Sequence, residues 1–335
     1  MTTSLRAAVV GLGMMGRNHV RVLRGLDGVD LVGVVDPLGD KYASADDLDV
    51  HTQLGPLLDA GLDLAVVAAP TADHVELGLL LAEAGVHTMI EKPLAPTLTE
   101  ARTLADAFES RGLVGAVGHI ERFNPAIRAL RDHLAADELG EVFQIATRRQ
   151  GPFPDRVRDV GVILDLATHD VDLTAWIAGS PYRSIAARTA FRTGRPHEDL
   201  VAATGVLVDG TVTNHLVNWL TPTKERFTVV TGDKGMFVAD TINATLTFYA
   251  NGSETMEWDT MQAFHGVSEG DVIRYAIPKP EPLVVEHQAF RDAVRGDGDA
   301  QIVTMRDGFA AVRVAEATLR SARTGTTVDL EGDLA

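Results

Sequence analysis

The sequence of 335 residues contains no cysteine, and aromatic residues make up only 5% of it. The absence of cysteine excludes disulfides, cysteine-ligated zinc, iron–sulfur clusters and thiol chemistry. Apolar runs such as residues 77–82 are short and soon interrupted by charge, which argues against a membrane span. The first residues lack the long apolar core of a secretory signal. We therefore expect a soluble, cytoplasmic protein.

Positive charge is also scarce, because 30 lysines and arginines face 47 acidic residues and leave a net charge of −17. Such a balance argues against nucleic acids and anionic membranes as partners. Hydrophobic residues (45%) and charged residues (23%) are at ordinary levels for a folded protein. At about 150 residues per domain, the length favours two domains. An anionic ligand would therefore need a local cluster of positive charge in this acidic chain.

Alternating strand-like and helix-like segments fill the first 120 residues, which predicts a parallel sheet covered on both faces. This strand–helix alternation ends after residue 118, and Thr/Val-rich strands with turn signals run from residue 184 to about residue 257. Two helices are expected near residues 283–295 and 304–323. We therefore predict an α/β dinucleotide-binding domain over residues 1–120. An α+β domain with a large, open, mainly antiparallel sheet is predicted over residues 121–335.

A glycine-rich turn follows the first predicted strand and opens a predicted helix. It consists of Gly11, Leu12, Gly13, Met14, Met15 and Gly16. In a G-x-G-x-x-G turn, one glycine forms the tight turn, one lets the backbone approach a pyrophosphate and one lets helix and strand pack closely. The amides at the helix N-terminus then meet the anion. The pattern alone is weak, but its position between strand and helix favours a dinucleotide site.

Asp36 ends the second predicted strand, 20 residues after Gly16. A carboxylate there accepts hydrogen bonds from both ribose hydroxyls, whereas it repels a 2′-phosphate. Pro37 and Leu38 provide no arginine for that phosphate, and Lys41 lies far along the chain. We predict NAD rather than NADP, the alternative being an ordinary aspartate at a strand end.

Lys92 is one of only five lysines and directly follows the apolar strand of residues 87–90, within Glu91-Lys92-Pro93. Ligands of doubly wound sheets bind beyond the carboxyl ends of the strands, where this lysine lies. The alternative is a solvated ion pair at the end of a strand.

Asp165 and His169 lie four residues apart on a predicted apolar helix, so that they share one face and the carboxylate can orient the imidazole. A histidine that titrates near neutrality can accept a hydroxyl proton while a hydride leaves the carbon. Two alternatives stay open: a His–Asp pair that is satisfied inside a core helix, and metal ligation together with Asp172. Because no further ligand has convincing spacing, we predict no metal.

The sequence resembles the Gfo/Idh/MocA family of glucose–fructose oxidoreductases and inositol dehydrogenases along essentially its whole length. The motifs that carry the resemblance are 10–16 (VGLGMMG), 69–74 (APTADH), 91–94 (EKPL) and 161–172 (GVILDLATHDVD). It implies a Rossmann domain, followed by a domain whose open sheet often forms the oligomer interface. It also implies that Lys92, Asp165 and His169 are catalytic and meet at the nicotinamide. Cofactor contacts are implied for Pro70, Thr71, His74, Glu91 and Lys92, and a cis peptide before Pro93.

Within that family, residues 118–125 and 150–154 are similar to a narrower group, the UDP-N-acetylglucosamine 3-dehydrogenases, which oxidise the C3 hydroxyl of the sugar to a ketone. Arg122 and Asn124 follow the last strand of the first domain, so we expect Arg122 to contact the cofactor and Asn124 the substrate. His119 and Glu121 are equally compatible with structural roles at a domain hinge.

Four arginines stand close together before the predicted catalytic helix: Arg148, Arg149, Arg156 and Arg158. With only two aspartates among them, residues 147–159 carry a local charge of about +2 in an acidic chain. Because arginine binds phosphate oxygens in a bidentate manner, we predict that some of these arginines hold the diphosphate of a nucleotide sugar. The alternative is a solvated strand end and loop.

The sequence thus predicts an NAD-dependent dehydrogenase that oxidises a ring hydroxyl of a sugar or of a nucleotide sugar such as UDP-N-acetylglucosamine. Lys92, Asn124, Asp165 and His169 would contact the substrate with the arginines, and either His169 or Lys92 would be the base. One alternative is a dehydrogenase of neutral or amino cyclitols and aminosugars. Another is a non-catalytic sugar or nucleotide sensor. A homodimer or homotetramer through the open sheet is expected.

Overall fold

The computed structural model describes residues 4–154, 160–252 and 269–330. The chain forms two compact units, the first containing the residues up to Ile120 together with Glu281–Glu316, the second Glu121–Pro280 and the residues from Ala317 onward. The sequence analysis assigned residues 281–316 to the second domain instead. They group with the first unit because Phe290, Val294 and Ile302 pack into its hydrophobic core.

Six parallel strands form the sheet of the first unit among the described residues. They are β1 (Leu5–Val10), β2 (Val29–Val35), β3 (Val50–His51), β4 (Leu64–Val67), β5 (His87–Glu91) and β6 (Gly115–Gly118). Their order is β3-β2-β1-β4-β5-β6, so the strand order reverses between β1 and β4. The parallel sheet expected from the sequence is confirmed. The two-residue strand β3 was missed because it is too short to show a periodic pattern.

Helices flank both sheets. In chain order they are α1 (Gly16–Arg24), α2 (Gly55–Asp59), α3 (His74–Glu83), α4 (Leu98–Ser110), α5 (Pro125–Ala135), α6 (Thr168–Ala178), α7 (Pro282–Val294) and α8 (Met305–Thr324). Thr97 caps α4, since its hydroxyl accepts from the Glu100 amide at 3.3 Å. None of the helices in the described ranges is long and apolar enough to cross a membrane.

The second unit is built on a sheet with nine described strands. They are β7 (Val142–Pro152), β8 (Tyr182–Ala190), β9 (Leu200–Leu207), β10 (Val212–Asn218), β11 (Leu220–Gly232), β12 (Gly235–Asp240), β13 (Thr245–Asn251), β14 (Glu269–Tyr275) and β15 (Val328–Asp329). Their order is β14-β13-β12-β11-β7-β10-β9-β8-β15. Neighbouring strands are antiparallel except β7 and β10, which run parallel. The mainly antiparallel sheet predicted from the sequence is confirmed.

The two faces of this sheet differ. On the inner face, Ile127 and Leu130 of α5 and Leu173 of α6 pack against Phe237 and other buried side chains of the strands. The outer face, with no described helix packed on it, carries small and apolar side chains that are half-buried or exposed: Ala146, Ala186, Ala202, Leu216, Val229 and Val238. A shallow groove of about 570 Å³ lies across its central strands.

Candidate active site

The glycine turn connects β1 to α1, and each of its glycines meets a different steric demand. Gly11 has a φ of +94°, and a Cβ there would lie 2.6 Å from the Ala69 amide nitrogen. A Cβ at Gly16 would lie 1.8 Å from the carbonyl oxygen of Gly11, so only glycine lets α1 begin this close to the turn. At Gly13, by contrast, a Cβ would meet open space. The backbone is therefore bare at the position where a ligand would approach it.

The start of α1 is suited to an anion. Its N-cap residue is Met15, and in the described chain no side chain caps the first turn, which also contains no acidic residue. The first amides of a helix lack intrahelical acceptors and carry the positive end of the helix dipole. The turn thus fits the pyrophosphate of NAD. The Met14 side chain is 42% exposed beside it.

Asp36 is fixed at the carboxyl end of β2. Its Oδ2 accepts from the Leu12 amide at 2.8 Å, and its Oδ1 accepts from the Leu38 amide at 2.8 Å. The first bond ties the carboxylate directly to the glycine turn. Each oxygen accepts one backbone bond and keeps further acceptor capacity, which fits a carboxylate that accepts from the ribose hydroxyls of NAD.

His74 contacts the loop after β4. Its Nδ1 lies 3.0 Å from the Pro93 carbonyl oxygen and its Nε2 lies 3.1 Å from the Ala69 carbonyl oxygen. Burial lowers the pKa of His74, while the two carbonyl groups, which only accept, act in the opposite direction. The ring thus lies between the loops after β4 and β5. Pro70 is exposed and Thr71 half-buried on the same loop. A direct contact of these three residues with the cofactor stays a prediction.

Lys92 follows β5 at the carboxyl edge of the same sheet and is half-buried. Its amide donates to Oε2 of Glu91 at 3.1 Å, and the Lys92–Pro93 peptide is cis, as expected. Burial alone would raise the pKa of Glu91, but the bond to His19 and the charge of Lys92 hold it below its ordinary value. Glu91 is thus an ionised, buried support of the lysine peptide, and its predicted contact with the cofactor stays a prediction.

Asp165 and His169 lie in the second unit, on a helix that begins with an irregular turn. Residues Ile163–Ala167 form a π-helix that continues into α6, so Asp165 lies in the wide turn and His169 in the first turn of α6. Both side chains are buried. π-turns inside α-helices are frequent at functional sites. The sequence predicted the helix, but it gave no signal for the π-turn.

Glu198 holds the beginning of this helix and was missed by the sequence analysis. Its Oε1 accepts from the Ile163 amide at 3.0 Å, while its own carbonyl accepts from the Val162 amide at 3.0 Å. A Cβ at Gly161 would lie 2.0 Å from the same Oε1. A glycine at residue 161 is therefore required for the carboxylate to reach the helix, where the dipole favours negative charge.

Arg122 and Asn124 make internal bonds in the second unit. Arg122 binds Asp172 with two nitrogens, the Nε–Oδ2 distance being 2.8 Å. Asn124 caps α5, since its Oδ1 accepts from the Ala126 amide, and its Nδ2 donates to the Thr241 carbonyl at 2.9 Å. Both side chains are buried. These bonds give both side chains a structural role in the second unit, and their expected contacts with cofactor and substrate stay predictions.

The two described residues of the predicted arginine cluster, Arg148 and Arg149, lie on opposite faces of β7. Arg149 is buried and donates to Asp170 at 2.9 Å and to Glu121 at 2.8 Å. Burial opposes its charge, but the two carboxylates raise the pKa of Arg149 above its ordinary value. Arg148 lies on the outer face and pairs with Glu225 at 2.9 Å. Since successive side chains of a strand alternate between faces, these two arginines cannot hold one diphosphate. Arg156 and Arg158 lie outside the described residues.

The structure thus brings together three of the predicted elements in the first unit: the glycine turn, Asp36 and the Lys92 loop. In the second unit it places Asp165 and His169 on one buried helix. Among the described residues, no group of three or more histidine, aspartate or glutamate side chains is arranged to hold a metal ion.

Comparison with known proteins agrees with this arrangement. A family model described as an oxidoreductase family with an NAD-binding Rossmann fold matches residues 5–119, and a GFO/IDH/MocA C-terminal domain model matches residues 127–238. The UDP-N-acetylglucosamine 3-dehydrogenase of Acidithiobacillus ferrooxidans is 30% identical over 94% of this chain and 96% of its own length. The chain belongs to the GFO/IDH/MocA family.

Other members of the family are equally similar in sequence. Inositol 2-dehydrogenase 1 of Saccharopolyspora erythraea is 30% identical over 98% of this chain and 97% of its own. The solved structure of GenD2 from gentamicin A biosynthesis in complex with NAD has a TM-score of 0.82 at 29% identity and covers 99% of this chain and 97% of that chain. This GFO/IDH/MocA protein is therefore an NAD-dependent oxidoreductase that acts on CH–OH groups.

Proposed function

We propose that this oxidoreductase oxidises a ring hydroxyl of a sugar, with Lys92, Asp165 and His169 as its catalytic residues. The observation that carries the proposal is the carboxyl edge of the parallel sheet in the first unit. There the bare backbone at Gly13, the anchored carboxylate of Asp36 and the supported peptide of Lys92 follow neighbouring strands. Such an edge is where doubly wound sheets bind their ligands.

Each residue has a defined part in the proposed reaction. When bound, NAD would supply the acceptor for the hydride of the carbinol carbon. His169 takes the proton of the hydroxyl group, Asp165 orients the imidazole of His169, and the ammonium group of Lys92 polarises the hydroxyl oxygen. Either His169 or Lys92 can serve as the base in this scheme. The glycine turn would hold the pyrophosphate, and Asp36 would hold the ribose and favour NAD over NADP.

We infer a nucleotide sugar such as UDP-N-acetylglucosamine as the first candidate substrate, with oxidation at C3. The name of the relative from Acidithiobacillus ferrooxidans supports this candidate. Because Arg148 and Arg149 are paired with carboxylates, the diphosphate would depend on Arg156 and Arg158.

A neutral cyclitol or an aminosugar is the second candidate, and the same ion pairs favour it. With Arg149 bound to Asp170 and Glu121, and Arg122 bound to Asp172, these buried groups offer little net positive charge to a diphosphate. The inositol dehydrogenase name of a relative points in the same direction.

A substrate panel tests both candidates. The protein is mixed with NAD and, separately, with UDP-N-acetylglucosamine, N-acetylglucosamine, myo-inositol and an aminosugar, while NADH fluorescence is recorded. We expect turnover, with the highest kcat/KM for the nucleotide sugar. A preference for the inositol or the aminosugar selects the second candidate. Saturable binding of NAD and sugar without any NADH would contradict the enzymatic role and indicate a sensor.

A matched pair of arginine variants tests the diphosphate contact. Arg156→Ala should lower kcat/KM for UDP-N-acetylglucosamine by about 10- to 100-fold, because a charge-assisted contact is lost, and leave N-acetylglucosamine unaffected. Arg148→Ala, on the outer sheet face, is the control and should leave kcat/KM unchanged for both sugars. Equal losses on both sugars would remove Arg156 from phosphate binding.

We further propose that two or four copies assemble through the outer face of the nine-stranded sheet. The small and apolar side chains of that face support this assembly, since a sheet face of this kind is normally covered. The cytoplasmic location and the assignment of two functional domains stay predictions.

A further inference from the structure

A chain of buried hydrogen bonds lies directly behind Lys92 in the first unit. Oε2 of Glu91 accepts from the Lys92 amide, and Oε1 of Glu91 lies 2.9 Å from Nε2 of His19. Nδ1 of His19 lies 2.8 Å from Nε2 of His287. The His19 ring is fully buried, and His287 is 1% exposed. Three elements distant in sequence, α1, the end of β5 and α7, thus meet through these side chains.

The direction of each bond follows from the ionised carboxylate of Glu91, which accepts from both sides. Nε2 of His19 therefore donates to it. Nε2 of His287 donates to Nδ1 of His19, since the opposite direction would leave a buried N–H on Nδ1 of His287 without an acceptor among the described residues. Burial lowers the pKa of His287 well below its ordinary value, and nearby His19 adds to this, so His287 is neutral. Its Nδ1 has no partner among the described residues and is then a lone pair rather than an orphaned N–H group.

Glu286, next to His287 on α7, reinforces this arrangement. It is 2% exposed, and neither carboxyl oxygen has a hydrogen-bond partner in the described part of the chain. Burial raises the pKa of Glu286 well above its ordinary value, and the charge of Glu91 adds to this effect. Glu286 is thus held neutral, while Glu91 carries the negative charge that the two histidines support.

We propose that His19 and His287 are positioning residues, which hold Glu91 and through it the Lys92 peptide in the conformation that catalysis requires. The inference rests on the proposed role of Lys92. A reacting group displaced by about 1 Å can cost 100-fold in rate, so supports of this kind matter even when they never contact the substrate. Because His19 belongs to α1, the same chain joins the dinucleotide helix to the lysine loop.

Activity measurements give the first test. His287→Leu removes the donor and keeps much of the volume, so kcat should fall about 10- to 100-fold while KM for NAD stays within about twofold. His287→Gln, whose amide nitrogen can replace Nε2, should restore most of kcat. Because His287 acts through His19, the double variant with His19→Leu should be no slower than His19→Leu alone.

Phe290→Leu is the matched control, since Phe290 is buried on the same helix but lies outside the chain of bonds. It should lower the unfolding temperature without changing kcat. An unchanged kcat in His287→Leu, additive losses in the double variant, or an equal loss of kcat in Phe290→Leu would overturn the proposal.

A second readout needs no turnover. Reductive methylation with ¹³C-formaldehyde labels the five lysines of the chain, and the NMR signal of Lys92 is assigned by its absence in Lys92→Arg. His287→Leu and His19→Leu should shift the Lys92 signal and leave the other four in place, with His287→Gln close to the unsubstituted protein. An unmoved Lys92 signal overturns the positioning role. If no sugar is oxidised at all, the proposed function fails while this measurement still decides the inference.

Discussion

At the level of single residues, the proposed mechanism depends most directly on His169, because this residue must accept a hydroxyl proton as the hydride leaves. We expect His169→Ala to lower kcat by about 10²- to 10⁴-fold and to leave NAD binding nearly intact. Steady-state kinetics and a fluorescence titration with NADH measure the two quantities. His133→Ala, at a surface pair with Glu138 in the same unit, is the control. Full activity in His169→Ala would remove this residue from catalysis.

The same scale shows which parts of the site can be predicted from sequence. The glycine turn and Asp36 were predictable because each depends on residues close in sequence and on backbone geometry that only glycine permits. The ion pairs of Arg149 were not predictable, because its partners Asp170 and Glu121 lie far from it in sequence and come close only in the folded chain. One signal was available: adjacent residues of a strand face opposite ways, so Arg148 and Arg149 had to separate.

Among the elements, the helix that carries Asp165 and His169 depends on an anchor 35 residues further along the chain. Whether its first turn is an α-turn or a π-turn cannot be read from its own sequence, because Glu198 holds the Ile163 amide from another loop. The helices after residue 281 present the same problem. Their apolar pattern predicts helices, but it does not say on which of two sheets they pack.

Gly161→Ala tests the anchor. The new Cβ would lie 2.0 Å from Oε1 of Glu198, so the carboxylate would have to leave the Ile163 amide. Loss of a charge-assisted bond to a helix N-terminus should cost about 2 kcal/mol in the free energy of unfolding and lower kcat. Gly55→Ala is the control, since a Cβ there meets open space. Denaturant unfolding and kcat are measured for both, and equal stability of the two variants would contradict the anchor.

Glu286 on α7 makes stability depend on pH. Because the pKa of Glu286 is raised in the folded chain, the protonated carboxyl group favours the folded state. This stabilisation is fully present below the ordinary carboxyl pKa and is lost as pH rises through the raised value. Glu286→Gln cannot ionise, so its unfolding temperature relative to the unsubstituted protein should increase from pH 5 to pH 8. Glu286→Met cannot ionise either and also removes an unpartnered polar group, so it should be about 1 kcal/mol more stable than Glu286→Gln at every pH. A Gln variant whose relative stability is the same at both pH values would show that Glu286 does not titrate there.

For the whole molecule, the proposed assembly depends on the outer face of the nine-stranded sheet. A stable interface buries at least about 1,000 Å², and Ala202, Leu216 and Val229 can provide part of such an area. Arg148 and Arg188 lie beside Leu216 and Ala202 on the same face, and Arg148 is paired with Glu225. The net charge of −17 works against association of two copies in general, so an assembly requires one dominant apolar surface.

Ala202→Glu places a carboxylate in the middle of that face, directly opposite Leu216 on the neighbouring strand. The unsubstituted protein should sediment as a dimer or tetramer of the 35.8 kDa chain, and Ala202→Glu as a monomer at the same concentration, because two like charges would be buried across the interface. Val208→Glu, at the exposed turn after β9, is the control and should stay assembled. Sedimentation of the unsubstituted chain as a monomer would contradict the proposed assembly. An assembled Ala202→Glu would show that the interface is not on this face. Since every residue proposed for catalysis comes from a single chain, the monomeric variant should still bind NAD.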